Sequence, residues 1–148
     1  MSDRLLDKFT ERAKRHIILA CEEARLRHHR YVGTDHLLLG ILKDGGGIAI
    51  RVLQASGLGI EQIRTEIERH MPRLSVEDSA DIEFTPMAKK VLQHAVEEAE
   101  SMESEVIGSE HLLLGLMVET EGIAYKVLHY LGANVRIIRT KVMQIYNA

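Results

Sequence analysis

Apolar residues recur along two stretches of the chain with the spacing of one face of an α-helix. In the first stretch they stand at Ala13, Ile17, Ala20, Cys21 and Ala24. In the second stretch they stand at Ala88, Leu92, Ala95, Val96 and Ala99. Because steps of three and four residues return to the same side of a helix, the pattern predicts two amphipathic helices, each with one buried stripe. No segment shows the alternating pattern of a strand, so no strands are predicted.

The two stretches belong to a repeat that covers most of the chain. When Phe9–Thr65 is aligned with Phe84–Thr140 at a constant offset of 75 residues, 23 positions are identical and no gap is needed. The longest shared blocks are GTDHLLLG at 33–40 and GSEHLLLG at 108–115. Such a duplication predicts one supersecondary unit used twice, so a ligand of one unit has an equivalent place on the other.

Each copy of the repeat is predicted to contain four helices. The first helix begins after Thr10 or Thr85, whose hydroxyl accepts a backbone N–H of the first turn, and Pro86 suits the position after the cap. Thr34 and Ser109 are predicted to cap the second helix in the same way.

Turns that contain glycine separate the remaining helices. Residues 45–47 and 121–122 end the second helix of each copy, and a short third helix follows. The last helix is predicted over 60–70 in the first copy and over 135–146 in the second. Both copies therefore have the same order of helices and turns.

The repeat also predicts how the chain is divided. Residues 1–148 form a single domain, in which copy one spans 9–70, a polar and acidic linker spans 71–83, and copy two spans 84–146. Four short helices leave apolar faces uncovered, so the two copies are expected to share one core. The predicted fold class is all-α: an eight-helix globule built from two repeated four-helix units with pseudo-twofold symmetry.

Composition and charge limit the cellular compartment and the classes of partner expected for this protein. A chain of 148 residues buries roughly 70% of its unfolded surface, enough for a core without disulfides or metals. The single Cys21 cannot form a disulfide within the chain, and no signal segment or membrane-length apolar run is present, so we expect a cytoplasmic protein without a membrane partner. A net charge of −3 offers no general attraction for phosphate backbones, so no nucleic-acid partner is expected.

Motifs of known catalytic or metal sites are missing. The sequence contains no nucleotide-binding Gly-x-x-x-x-Gly-Lys-Ser/Thr loop, no His-Glu-x-x-His and no Gly-x-Ser-x-Gly. We interpret His28 and His29, which lie among arginines, as part of a solvated basic surface, and His36 and His111 as hydrogen-bonded structural residues. The sequence thus predicts no catalytic residue, no metal and no cofactor.

Two acids occupy the same repeat position, Asp35 directly after Thr34 and Glu110 directly after Ser109. Two interpretations are open. A carboxylate in the first turn of a helix stabilises the helix dipole by about 0.3–1 kcal/mol, which is a structural role. A helix N-terminus also offers N–H groups to an anion, and a neighbouring carboxylate suits a guanidinium. A phosphorylated arginine side chain carries both groups, so the second interpretation predicts phosphoarginine sites at these acids.

Several motifs occur twice in the same order: Phe-Thr-x-x-Ala-Lys, Glu-Glu-Ala, Gly-(Thr/Ser)-(Asp/Glu)-His-Leu-Leu-Leu-Gly and Gly-Ile-Ala-x-(Arg/Lys)-Val-Leu. This series resembles the Clp N-terminal domain of AAA+ unfoldases, most closely the ClpC branch, over about residues 4–147. The resemblance implies the all-α double-repeat fold. It further implies a non-catalytic domain that receives substrates and adaptors for a hexameric ATPase, which delivers proteins to the ClpP protease. In that branch the domain binds phosphoarginine-tagged proteins and MecA-like adaptors.

The resemblance also assigns residues. Thr34, Asp35, Ser109 and Glu110 correspond to the phosphoarginine-binding positions of the two copies. A peptide and adaptor surface corresponds to Leu6, Phe84, Thr85 and Lys89. The ClpC branch usually has Glu where this chain has an aspartate in copy one, and the shorter side chain predicts that copy one is the weaker site.

Other functions are compatible with parts of the sequence. One alternative is a free-standing Clp-N-like protein that modulates a Clp protease without its own ATPase; a Walker A loop after Ala148 would distinguish a fused unfoldase from it. A helix-turn-helix DNA reader is disfavoured, because Arg51 and Lys126 are the only Lys or Arg residues in the candidate recognition helices. The domain by itself is expected to be a monomer that neither binds nor hydrolyses ATP.

Overall fold

The computed structural model describes residues 3–71 and 82–147 and is mostly helical. A short helix, α1 (Asp3–Asp7), precedes the repeat. The helices of copy one are α2 (Glu11–Leu26), α3 (Thr34–Asp44), α4 (Ile48–Ala55) and α5 (Ile60–Arg69). Those of copy two are α6 (Pro86–Ser101), α7 (Ser109–Val118), α8 (Ile123–Tyr130) and α9 (Val135–Tyr146). The eight repeat helices and the mostly helical fold confirm the prediction, and α1 is an addition to it.

The first helix of each copy begins as predicted. The Thr10 hydroxyl accepts the backbone N–H of Ala13 at 3.1 Å, and the Thr85 hydroxyl accepts that of Ala88 at 3.0 Å. Pro86 is the first helical residue after its cap. A threonine cap at the same repeat position therefore begins both α2 and α6.

The predicted caps of the second helices were wrong. Gly33 and Gly108 are the N-cap residues of α3 and α7, with extended backbone, and Thr34 and Ser109 are the first residues inside the helices. Their hydroxyls bond to other helices, described below, so they do not bind the amides of their own first turn.

The core lies where the first two helices of each copy pack together. Most of the predicted stripe is buried, while Cys21 and Val96 are only partly buried. A Cβ atom added to Gly40 would lie 2.2 Å from the carbonyl oxygen of His16, and one added to Gly115 would lie 2.5 Å from that of Val91. Glycine is therefore required at the point where α3 crosses α2 and α7 crosses α6.

Short extended segments link the two copies, contrary to the prediction of no strands. Strand β1 (Tyr31–Val32) pairs in parallel with β2 (Glu83–Phe84), and Phe9 forms an equivalent parallel bridge with Ile107. These segments are too short for an alternating pattern to be visible in the sequence. In each pairing the segment before the first helix of one copy lies beside the segment before the second helix of the other copy. Both pairings therefore join the two copies, one in each direction.

The predicted linker is described only at its ends. Met71 is 6% exposed and Glu83 belongs to β2, while residues 72–81 lie outside the described part of the chain. Within 3–71 and 82–147, no helix has both the length and the apolar character needed to cross a membrane.

Candidate functional site at the seam between the copies

A groove of about 660 Å³ lies at the seam between the two copies. Copy one contributes the loop before α3 and the first turn of that helix, and copy two contributes the start of α6 and the turn before α8. The lining residues are His29, Arg30, Tyr31, Gly33, Thr34, Asp35, His36, Thr85, Pro86, Met87, Lys90, Glu121 and Ile123. The duplication thus produces a concave surface that neither copy forms by itself.

Each copy contributes one cation and one acid to this groove. Arg30 and Asp35 come from copy one, and Lys90 and Glu121 come from copy two. The guanidinium of Arg30 lies 5.6 Å from the centre of the Tyr31 ring, a cation–π contact that holds it at the groove. A ligand in the groove therefore meets both signs of charge.

Asp35 is 4% exposed and its carboxylate is held within its own helix turn. Its Oδ1 atom accepts the backbone N–H of His36 at 2.9 Å. Burial by itself would raise the pKa of Asp35, but the contacts with His36 outweigh it and hold this pKa below its ordinary value. The acid of copy one is thus a carboxylate at neutral pH, and it forms part of the groove wall.

The histidine of the repeated motif is anchored in the same way in both copies. The Gly33 N–H donates to His36 Nδ1 at 2.9 Å, and the Gly108 N–H donates to His111 Nδ1 at 3.0 Å. Because Nδ1 accepts, the neutral ring carries its proton on Nε2. Both histidines are hydrogen-bonded, as predicted, but their Nε2 partners differ.

In copy one, His36 Nε2 lies 2.9 Å from His29 Nδ1 and donates to it. His29 was interpreted from the sequence as part of a solvated surface, and it is instead half-buried against the motif histidine. The edge-to-face arrangement of the two rings places His29 on the wall of the groove.

In copy two, His111 Nε2 lies 3.1 Å from the hydroxyl of Tyr146, and this hydroxyl donates to Glu110 Oε2 at 2.5 Å. Partial burial, together with the neighbouring Glu110 carboxylate, raises the pKa of Tyr146 above its ordinary value, although this residue is 37% exposed. Burial also lowers the pKa of His111, so its ring is neutral at neutral pH. The acid of copy two, 6% exposed, is therefore already bonded to a donor of the same chain.

The hydroxyls of Thr34 and Ser109 connect the copies. Thr34 Oγ1 accepts the N–H of Ala124 at 3.2 Å, in the first turn of α8. Ser109 Oγ accepts the N–H of Ala49 at 3.2 Å, in the first turn of α4. Each hydroxyl thus caps the third helix of the other copy, whose own N-cap is a glycine without a side chain.

The structure brings together only some of the residues assigned from the sequence. Thr34, Asp35 and Thr85 meet in the seam groove. Ser109 and Glu110 lie together at the start of α7, where Tyr146 covers the acid. The residues that line the groove do not include three members of the assigned peptide surface, Leu6, Phe84 and Lys89. Leu6 and Phe84 are half-buried against the core, and Lys89 is exposed.

Several groove residues were missed from the sequence. Arg30, Tyr31, Met87, Lys90 and Glu121 fall at positions where the copies differ, so the repeat gave no signal for them. Tyr146 had one available signal. The 75-residue offset, continued past Thr140, pairs it with Met71, which shows that a buried apolar position in copy one carries a hydroxyl in copy two.

The comparisons with known proteins agree on one family. The model of the Clp repeat (R) N-terminal domain matches residues 8–131. Chaperone protein ClpC1, chloroplastic, of Oryza sativa subsp. japonica is 45% identical over 141 residues, which are 95% of this chain and 15% of that protein. The chloroplastic ClpA homologue of the ATP-dependent Clp protease ATP-binding subunit from Brassica napus is also 45% identical over 141 residues, 95% of this chain and 16% of that protein. The chain thus spans about 15% of the length of these relatives.

Solved structures agree in fold. The N-terminal domain of the caseinolytic protease associated chaperone ClpD from Arabidopsis thaliana matches with a TM-score of 0.74 and 28% identity, covering 100% of both chains. The N-domain of ClpV from Vibrio cholerae matches with a TM-score of 0.83 and 21% identity, covering 96% of this chain and 87% of that one. A complex of the ClpV N-domain with a VipB peptide matches with a TM-score of 0.77 and 21% identity, covering 90% and 83%. The chain belongs to the Clp repeat N-terminal domain family and is similar to the N-terminal domains of ClpC chaperones.

Proposed function

We propose that this chain is the substrate- and adaptor-binding domain of a ClpC-type ATP-dependent unfoldase, a hexamer that delivers proteins to the Clp protease. The domain has no chemistry of its own in this proposal and supplies only binding. The observation that carries the proposal is the charged groove at the seam, in a chain that is 45% identical to ClpC1 over 95% of its length. The ClpV N-domain, which shares the fold, has been solved with a peptide bound.

The chemistry of the groove supports a phosphoarginine side chain as ligand. Asp35 and Glu121 are acceptors for a guanidinium, while Arg30 and Lys90 are donors for a phosphate. An unmodified arginine meets the two acids but leaves the two cations without an anion. Binding through both ends of the side chain therefore favours the phosphorylated form.

The same contacts change the expected ranking of the two acids. From side-chain length alone, Asp35 was expected to be the weaker site. Asp35 forms part of an open groove, whereas the carboxylate of Glu110 already accepts the Tyr146 hydroxyl. We therefore assign phosphoarginine binding first to copy one.

An adaptor of the MecA kind is assigned to the neighbouring surface. Phe84 lies in β2, Thr85 caps α6, and Lys89 is one helical turn further and exposed. Leu6 lies in α1, outside the repeat, and belongs to this surface only through the family resemblance. A partly buried aromatic ring beside an exposed cation suits a partner with apolar and acidic groups.

Two neighbouring lysines provide the test. A phosphoarginine peptide and its arginine counterpart are titrated calorimetrically into the wild-type chain, Lys90→Gln and Lys89→Gln. Lys90 lines the groove and Lys89 does not, although both are exposed and stand on the same helix. We expect the wild type to prefer the phosphorylated peptide, and only Lys90→Gln to reduce that preference, by about tenfold.

Equal binding of both peptides by the wild type would remove phosphoarginine from the proposal. An equal loss in both lysine variants would show that the phosphate contacts the helix surface and not the groove. Binding of a MecA-like adaptor is measured separately with Lys89→Gln and Phe84→Ala, which leave the groove cations in place.

A further inference from the structure

Tyr146 gives the acid of copy two a side-chain hydroxyl donor, and among the described residues the acid of copy one has no such hydroxyl partner. The Tyr146 hydroxyl donates to Glu110 Oε2 at 2.5 Å and accepts from His111 Nε2 at 3.1 Å, so both polar groups of the motif are satisfied within the chain. The residue at the same repeat position in copy one is Met71, whose side chain has no hydroxyl. The difference between the acids thus arises from one side chain at the end of α9.

A tyrosine hydroxyl is a fitting replacement for the ligand at this position. A guanidinium would bind the carboxylate by donating N–H groups to its oxygens, and the hydroxyl donates to one of those oxygens already. A ligand that reached Glu110 would have to displace this donor and also leave His111 Nε2 without its acceptor. Both losses oppose binding because the groups concerned are buried.

Copy one has the opposite arrangement. His36 Nε2 donates to His29, and His36 Nδ1 lies 3.2 Å from Asp35 Oδ1. Within 3–71 and 82–147 no side-chain hydroxyl donates to Asp35 as Tyr146 does to Glu110. The backbone N–H of His36 contacts the carboxylate from within the helix, and the acid still lines the groove. The carboxylate of copy one therefore borders the groove and that of copy two bonds to Tyr146, although both acids are nearly buried, at 4% and 6% exposed.

From this contrast we infer that Tyr146 acts as an internal occupant of the second acid site, so that the duplicated receptor binds one phosphoarginine and not two. This inference rests on the proposed function, because it specifies how the second of the two assigned sites is controlled. The end of α9 holds the second site closed, and displacement of Tyr146 opens it.

The test is a count of binding sites in calorimetric titrations with phosphoarginine. Four chains are compared: the wild type, Tyr146→Met, Tyr146→Phe and Tyr146→Met combined with Glu110→Gln. Tyr146→Met gives copy two the residue of copy one, and Tyr146→Phe removes only the hydroxyl while keeping the ring. Tyr130→Phe serves as the matched control, because Tyr130 is 74% exposed at the end of α8.

We expect one site in the wild type and in Tyr130→Phe, two sites in Tyr146→Met and Tyr146→Phe, and one site again when Glu110→Gln is added. Two sites in the wild type, or a single site retained in both Tyr146 variants, would overturn the inference and leave the proposed function intact. Absence of binding by every chain would instead remove phosphoarginine from the proposed function, and the inference with it. Circular dichroism of each variant establishes that the chain titrated is folded.

Discussion

Copies one and two contain the same motif, yet its polar groups have different partners. Gly33–His36 and Gly108–His111 share the backbone of the helix start and the bond from glycine N–H to histidine Nδ1. In copy one the histidine bonds to His29 and the acid borders a groove. In copy two the histidine and the acid share the hydroxyl of Tyr146. The motif fixes the geometry of the helix start, and residues outside the motif decide whether the site is open.

The largest expected effect concerns the two acids. Asp35→Asn removes the carboxylate from the open groove and should reduce the affinity for a phosphoarginine peptide by about tenfold to a hundredfold, because a charge-assisted contact worth roughly 1.5–3 kcal/mol is lost. Glu110→Gln should change the affinity by less than about threefold in the presence of Tyr146. Fluorescence anisotropy with a labelled peptide measures both. A larger loss for Glu110→Gln would reverse the comparison and restore the ranking expected from side-chain length.

The helix crossings provide the second comparison. Gly40→Ala and Gly115→Ala each push a methyl group against a backbone carbonyl, and such overpacking typically costs about 1–3 kcal/mol of unfolding free energy. Gly40→Ala should cost more, since its added Cβ lies at 2.2 Å and that of Gly115 at 2.5 Å. Urea unfolding followed by circular dichroism measures both losses.

Gly59→Ala is the control for this pair, because an added Cβ there meets its nearest neighbour, a Gln62 side-chain atom, at an ordinary 3.8 Å. Gly59 is the N-cap of α5, where alanine is less favourable than glycine, so a loss of up to about 1 kcal/mol is expected from the cap and none from overpacking. If all three variants were equally stable, the crossings would be looser than the structure describes.

The exchanged caps are the third comparison. Thr34→Val and Ser109→Ala each leave a buried N–H of the other copy without its acceptor, and each should cost about 1–2 kcal/mol of unfolding free energy. Thr10→Val removes a cap within one copy, where the bond is only part-buried, and should cost less. All three variants should unfold in a single transition. Two separate transitions in Thr34→Val would show that the copies fold independently.

The smallest effect is a difference in pH dependence. His16 is fully buried, with Nε2 at 3.1 Å from Asp44, and burial lowers its pKa below the ordinary value of 6.5. The unfolded chain therefore binds more protons at mildly acidic pH, and stability falls as the pH decreases through 6.5. Copy two has Val91 at this position. His16→Val should thus reduce the fall in stability between pH 7.5 and 5.5, by up to about 1.4 kcal/mol per pH unit.

Thermal unfolding at a series of pH values measures this slope, with Ile17→Val as a control that changes the same core without removing a titratable group. The remaining slope in His16→Val is assigned to His111, whose pKa is also lowered from 6.5 by burial. An unchanged slope after His16→Val would contradict the role of burial at this residue.

Much of the fold could be predicted from the sequence because the information was local and present twice. The stripe on α2 and α6, the caps at Thr10 and Thr85, and the span of α9 all follow from residue spacing and capping chemistry. The exchanged strands could not be predicted, since two-residue segments carry no periodicity. The assigned caps Thr34 and Ser109 were wrong in position and in target, because glycines cap α3 and α7 and the two hydroxyls accept N–H groups of helices in the other copy.

The candidate site was predictable only where the copies agree. Asp35 and Glu110 were found through the shared motif, but the cations Arg30 and Lys90 and the closing Tyr146 stand where the copies differ. A wall made by two distant segments depends on the packing of the copies, and a single sequence without its fold gives no measure of that packing.

The exchange of strand pairings and caps has an evolutionary consequence. Every such contact occurs twice, from copy one to copy two and back, which is the contact pattern of a twofold homodimer. Two separate chains of the ancestral unit would make the same contacts across a symmetry axis. Fusion of their genes keeps the interface and releases the two halves from identity, so the acid of one copy can border a charged groove while the acid of the other acquires a tyrosine partner. In a symmetric homodimer the two sites could not differ in this way, because every substitution would appear in both sites at once.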